Sequence, residues 1–222
     1  LYSNISDENE LNSCFKILES FIALRQICKF TTKNYNNLFI QIIRSLDKIK
    51  AEKAIESNDL LDILKSFNDF GNRLPSKVEV EEAFHNSVLS NKQAGAILYT
   101  IALKDIDSEY SDTKTLSSKS FSVEHMMPKK WEENWSESNL DELSKFKRNQ
   151  KILTIGNLTL ITKNLNSKLR NQSWANKKQT LKEYSSLKMT TSFLELEKWD
   201  EESISERADQ LCHKALEIWN VE

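Results

Sequence analysis

Phe121-Ser122-Val123-Glu124-His125-Met126-Met127-Pro128, then Ile155-Gly156-Asn157-Leu158-Thr159-Leu160-Ile161-Thr162, then Asn164-Leu165-Asn166-Ser167-Lys168-Leu169 are the pieces of this 222-residue chain whose reading decides its fold. Phe121-Ser122-Val123 alternates apolar and polar side chains as a strand does, and Pro128 discourages helix just after the histidine. Ile152 to Ile155 and Leu158 to Thr162 are both β-prone, and the Gly156-Asn157 pair between them marks a turn, a bulge or a close backbone approach. Asn164 to Leu169 and then Ser173 to Leu187 lack Pro and Gly and are rich in Lys, Gln, Leu and Ala, so a helix follows and Asn166 sits near its start. Between the first two pieces, Lys129 to Gln150 carries Trp131 and Trp135 at helical spacing, then Leu140, Leu143 and Phe146, and reads as a helical excursion.

Working outward, the first half reads as helical scaffolding. Leu11, Phe15, Leu18, Phe21, Ile22, Leu24 and Arg25 have helical periodicity, and Thr31-Thr32 can cap a second helix holding Tyr35, Leu38, Phe39, Ile42, Ile43 and Leu46. Leu60 to Phe70 makes a third helix, the capping-box sequence Ser76-Lys77-Val78-Glu79 opens a fourth, and Gln93 to Leu103 makes a fifth. Asp105 to Ser120 is rich in acids and Ser and lacks apolar periodicity, which marks a linker. The expected division is a helical subdomain over 1–106, a linker over 107–120 and a site-bearing domain over 121–222. Its closing helix packs Ile204, Ala208, Leu211, Ala215, Ile218 and Trp219 against the body. The fold class is mainly α.

Composition sets bounds on function. With 39% hydrophobic and 29% charged residues, three Gly and two Pro, the chain can bury a real core and has few linkers. Cys14, Cys28 and Cys212 are odd in number and lack metal or disulfide spacing, so a reducing cytoplasm is the simplest setting. No run is long enough to cross a membrane and no secretory signal pattern is present. A chain opening on Leu1 rather than Met reads as part of something longer.

The net charge of -2 hides an asymmetry. From Lys145 to Lys188 there are eleven cations and one acid, Glu183, a local balance of +10 that leaves the rest of the chain at -12. A basic stretch of that kind suits a phosphate-binding surface. Lys168, Arg170 and Lys177 are the preferred phosphate contacts, and one of them can instead stabilise transition-state charge.

The polar residues of the three pieces are those that a one-metal phosphodiesterase site needs. His125 titrates near neutral pH and can act as the base that deprotonates water. Glu124 and Asn166 supply hard oxygen ligands, which suit Mg²⁺ or Mn²⁺ and leave positions for water and phosphate. The Asn157 amide both donates and accepts, and can pin the loop that carries His125. His85 and His213 lie in helical segments without a partner motif and read as structural or solvent-facing.

Val123-Glu124-His125-Met126-Met127-Pro128, Ile155 to Ile161, Asn164 to Leu169, and Trp174 with Lys177 resemble the HNH, or ββα-metal, nucleases. The closer resemblance is to the C-terminal HNH-type domain of the GmrSD and SspE class of modification-dependent restriction and phage-defence proteins. It extends through Trp199, Ile204, Arg207 and Trp219, and upstream to Leu18-Glu19-Ser20-Phe21, Arg25, Cys28 and Thr31. The resemblance implies a ββα-metal nuclease core with extra helices, His125 as general base, Glu124 and Asn166 as ligands of a divalent metal, and Asn157 as the central asparagine of the catalytic set. It also implies a DNA endonuclease or nickase and, in the full-length protein, an N-terminal nucleotide-hydrolysing sensor domain. Glu124 stands where many HNH enzymes have aspartate, and the interval from His125 to Asn157 is longer than in compact HNH modules.

Two other readings stay open: a non-catalytic DNA-binding or regulatory module, and a helical interaction domain in which the motif is incidental. Phosphodiester chemistry does not by itself separate DNA from RNA. A single site cuts one strand, so a double-strand break requires successive nicks or two chains in a homo-oligomer.

Overall fold

The computed structural model describes Ile5 and residues 7–106, 117–135 and 140–220. The expected linker falls largely on 107–116, outside the described residues, as do 136–139 of the expected helical excursion. The described chain is mainly helical and forms two compact units, residues 1–80 with 216–222, and residues 81–215. This division by packing falls at other positions than the composition-based boundaries at 106/107 and 120/121.

In the first unit, α1 (Glu8–Ile27), α2 (Tyr35–Lys50) and α3 (Ser57–Ser66) enclose one core, in which Cys14, Phe21, Leu38, Leu60 and Leu64 are fully buried. The Asp7 carboxylate starts α1 by accepting the Asn9 and Glu10 amide hydrogens, which have no partner inside the helix. The α2 cap position is Asn34 rather than Thr31-Thr32; the Thr31 hydroxyl instead accepts the Lys33 N–H one turn too early. Arg25 is buried with no carboxylate partner among the described residues, donating to the carbonyls of Thr31, Gly71 and Arg73. It thereby ties together the segments that follow α1 and α3. The helix α4 (Lys77–Asn86) opens on the expected capping box, with Ser76 and Glu79 exchanging side-chain-to-backbone hydrogen bonds.

The second unit is organised around a two-stranded antiparallel sheet. Strand β1 (Phe121–His125) pairs with β2 (Leu158–Thr162), Val123 lying opposite Leu160 and His125 opposite Leu158. Helix α5 (Asn91–Lys104) packs on both strands, closely at Gly95, where a Cβ would lie 3.3 Å from Val123 Cγ2. The chain then runs through a short 3-10 turn (Trp131–Glu133) and α6 (Glu142–Lys151), the helical parts of the expected excursion among the described residues. After β2 come α7 (Lys163–Leu169), which packs against both strands, α8 (Trp174–Tyr184), α9 (Lys188–Thr191) and α10 (Glu201–Ile218).

One strand expectation fails. Ile152 to Ile155 is not a strand: Ile152 ends α6, Thr154 makes a single bridge to Val88, and Ile155–Asn157 is a 3-10 turn. Ile152 and Ile155 are buried without joining the sheet, and Gly156 just beyond them lies against α10. Gly156 shows the close approach expected of it, since a Cβ there would sit 2.2 Å from the Ile204 carbonyl oxygen. Only glycine leaves room for that crossing. Trp174, Phe193 and Trp199 stack beneath the turn with ring centroids 4.7 to 6.3 Å apart.

Candidate active site

Asn166 and Lys177 reach the open edge of β1. Met126 N–H donates to the Asn157 carbonyl at 2.9 Å, and alternation along an antiparallel ladder then turns the carbonyls of Val123 and His125 outward. Both outward carbonyls are taken by side chains from the helices that follow β2. Asn166, on α7, donates its amide hydrogens to the Val123 carbonyl (3.1 Å) and the Ser122 hydroxyl (3.0 Å). Lys177, on α8, donates to the His125 carbonyl at 2.7 Å and to Glu124 Oε1 at 2.5 Å.

Asn157 is fully buried and uses all four of its hydrogen-bonding positions. Its Nδ2 donates to the carbonyls of Met127 (2.8 Å) and Ile152 (2.9 Å), while its Oδ1 accepts from Met127 N–H and Trp199 Nε1, each at 2.9 Å. The reciprocal pair with Met127 holds the backbone two residues beyond His125. With its amide saturated, Asn157 fixes the backbone at Met127 and Ile152. The turn is braced from below by Arg207, whose Nη1 donates to the Gly156 and Leu158 carbonyls on either side of Asn157, at 2.8 and 2.6 Å. Burial pulls the Arg207 pKa down to about 9, which leaves it cationic at neutral pH; Nη2 lacks a hydrogen-bond partner among the described residues. Trp199 and Arg207 entered the sequence reading only as points of resemblance. No local pattern announces two side chains that reach a turn more than 40 residues away.

The His125 ring is half-buried, and among the described residues its nitrogens make no hydrogen bond. Its pKa is lowered to about 4, first by burial and then by the positive charges of Lys129 and Lys177. The imidazole is therefore neutral at pH 7. Glu124 is buried beside Lys177; burial pushes the carboxyl upward and the amine downward, and their mutual attraction opposes both shifts.

The expected phosphate contacts divide. Lys168 and Arg170 are exposed, Lys168 over the Tyr184 ring at 4.2 Å and Arg170 at the end of α7 with a positive φ of 41°. Lys177 corrects the expectation of a surface contact: its side chain is wholly buried, because α8 turns it inward onto β1. The basic stretch is also partly neutralised, since Lys145, Arg148, Lys177 and Lys182 pair with Glu142, Glu201, Glu124 and Glu195.

As metal ligands, the residues present suit a hard cation that keeps much of its water. Asn166 is tethered through its nitrogen, and its Oδ1 accepts no hydrogen bond among the described residues. Glu124 has one oxygen engaged by Lys177. Few protein ligands, all oxygen, fit Mg²⁺ or Mn²⁺ better than a dedicated zinc cage. Among the described residues no three His, Cys, Asp or Glu side chains gather as such a cage would require.

Residues 74–214 match the family model described as GmrSD restriction endonucleases, C-terminal domain. No curated protein matches the chain.

Proposed function

Because the chain belongs to the family of C-terminal domains of GmrSD restriction endonucleases, we propose that it is a metal-dependent, HNH-type DNA endonuclease that nicks one strand. The observation that carries this reading is a neutral, half-buried imidazole on a strand end held by Asn157, Asn166 and Lys177. His125 takes a proton from water as its oxygen attacks phosphorus, the bond to the 3′ oxygen breaks, and the ends are a 5′-phosphate and a 3′-hydroxyl. Glu124 and Asn166 would hold a divalent ion, which would supply Lewis-acid stabilisation of the charge on the phosphoryl oxygens and the leaving oxygen. Lys168 and Arg170 contact backbone phosphates. In this reading the substrate is foreign or modified DNA, cleaved in the cytoplasm, with an N-terminal nucleotide-hydrolysing domain as sensor.

The Glu124–Lys177 ion pair favours a second reading, a non-catalytic DNA-binding module, since it engages a proposed ligand. Conversion of supercoiled plasmid to open circles, with Mg²⁺, Mn²⁺ or EDTA, separates the two. Metal-dependent nicking by the parent chain, lowered about 10²- to 10⁴-fold in folded His125→Ala, is expected of the nuclease. Salt-sensitive binding without cleavage is expected of the module.

A further inference from the structure

A groove of about 680 Å³ runs between α5 and the sheet, within the size range of pockets that hold one small ligand, roughly 300 to 1,000 Å³. Its walls include Ala96 and Tyr99 from α5, Phe121 and Val123 from β1, and the hydrogen-bonded pair Ser122 and Asn166. Among the described residues that line it, Lys92, exposed on α5, carries the only charge. The groove therefore joins three features: an apolar wall with two aromatic rings, a cationic rim, and a residue of the proposed catalytic site.

We propose that this groove binds one unpaired nucleobase of the cleaved strand, next to the phosphate that faces Asn166. The inference rests on the nuclease reading and extends it to the form of the substrate. A base has flat apolar faces that stack on aromatic and aliphatic side chains, and its phosphate favours a rim that carries a cation. A paired base inside a duplex presents only its edge, so entry into the groove requires a single strand or a base turned out of the stack.

The test measures binding of a fluorescein-labelled twelve-residue oligothymidylate, and of a duplex of the same length, by anisotropy in EDTA, where no cleavage occurs. Ala96→Trp fills the groove from an exposed helix position, and Lys92→Glu reverses the charge at the rim without touching the core. Both variants, with parent-like circular dichroism and Tm, are expected to weaken single-strand binding about tenfold or more, the loss of one stacked base. Duplex binding should change less than twofold in Ala96→Trp. Unchanged single-strand affinity in Ala96→Trp, equal losses on both ligands, or no binding by the parent overturns the proposal. Nicking by the parent with unchanged single-strand affinity in Ala96→Trp removes the groove and leaves the nuclease. Groove-dependent binding without nicking in Mg²⁺ or Mn²⁺ removes the nuclease and leaves the groove.

Discussion

Lys177 Nζ lies 2.5 Å from Glu124 Oε1, and the two side chains are 0% and 11% exposed. The same ammonium donates to the His125 carbonyl, so one buried cation joins α8 to the strand end that carries the candidate base.

Removing one member of this pair strands the other. Lys177→Met should lower unfolding free energy by about 3 to 5 kcal/mol in urea titrations, as expected when a buried charge loses its partner. The double variant Lys177→Met/Glu124→Leu should cost well under the sum of the two single changes. Strict additivity would show that the pair is not coupled.

Asn157→Asp keeps the shape of the side chain but replaces two donors with acceptors facing the Met127 and Ile152 carbonyls. A loss of about 3 to 5 kcal/mol is expected, more than for a surface asparagine, because the groups left behind are buried. Thermal unfolding beside Asn157→Ala is the check: the aspartate should be at least as damaging as the truncation.

Acidification should destabilise the fold through His125. Its folded pKa of about 4 lies below the ordinary 6.5, so the unfolded chain binds more protons between those values. This contribution to stability is complete above pH 6.5 and is lost as pH falls through 4. Urea midpoints measured from pH 7 to pH 4 should drop less steeply in His125→Asn than in the parent, and parallel curves would refute the assignment.

Gly156→Ala should destabilise by about 3 kcal/mol or more, because its Cβ would meet the Ile204 backbone oxygen, which no side-chain rotation can move. Gly95→Ala meets only a Val123 methyl at 3.3 Å and should cost much less. Comparable Tm losses in the two would contradict the close crossing of α10 over the turn.

Duplex binding should weaken with salt in proportion to the phosphates neutralised. Lys168→Ala and Arg170→Ala should each reduce the slope of log K against log salt by about 0.9. Lys33→Ala, exposed in the other compact unit, should leave it unchanged.

Much of this protein was determined locally. Helix positions largely followed apolar periodicity, although the third helix ends at Ser66 rather than at the expected Phe70, and the Ser76–Glu79 box opened its helix because the hydrogen bonds it makes span only three residues. Gly156 announced a close approach for a similar reason, since the absence of a side chain is itself the local signal. Tertiary structure decided the rest. Ile152 to Ile155 and Phe121 to Val123 both read as extended segments, and only the path of the chain made the second the partner of β2. The lysines of the basic stretch look alike in sequence, yet Lys168 meets solvent and Lys177 is sealed against Glu124. Strand partnership and burial depend on contacts between residues far apart in the chain, so neither can be read from neighbouring residues alone.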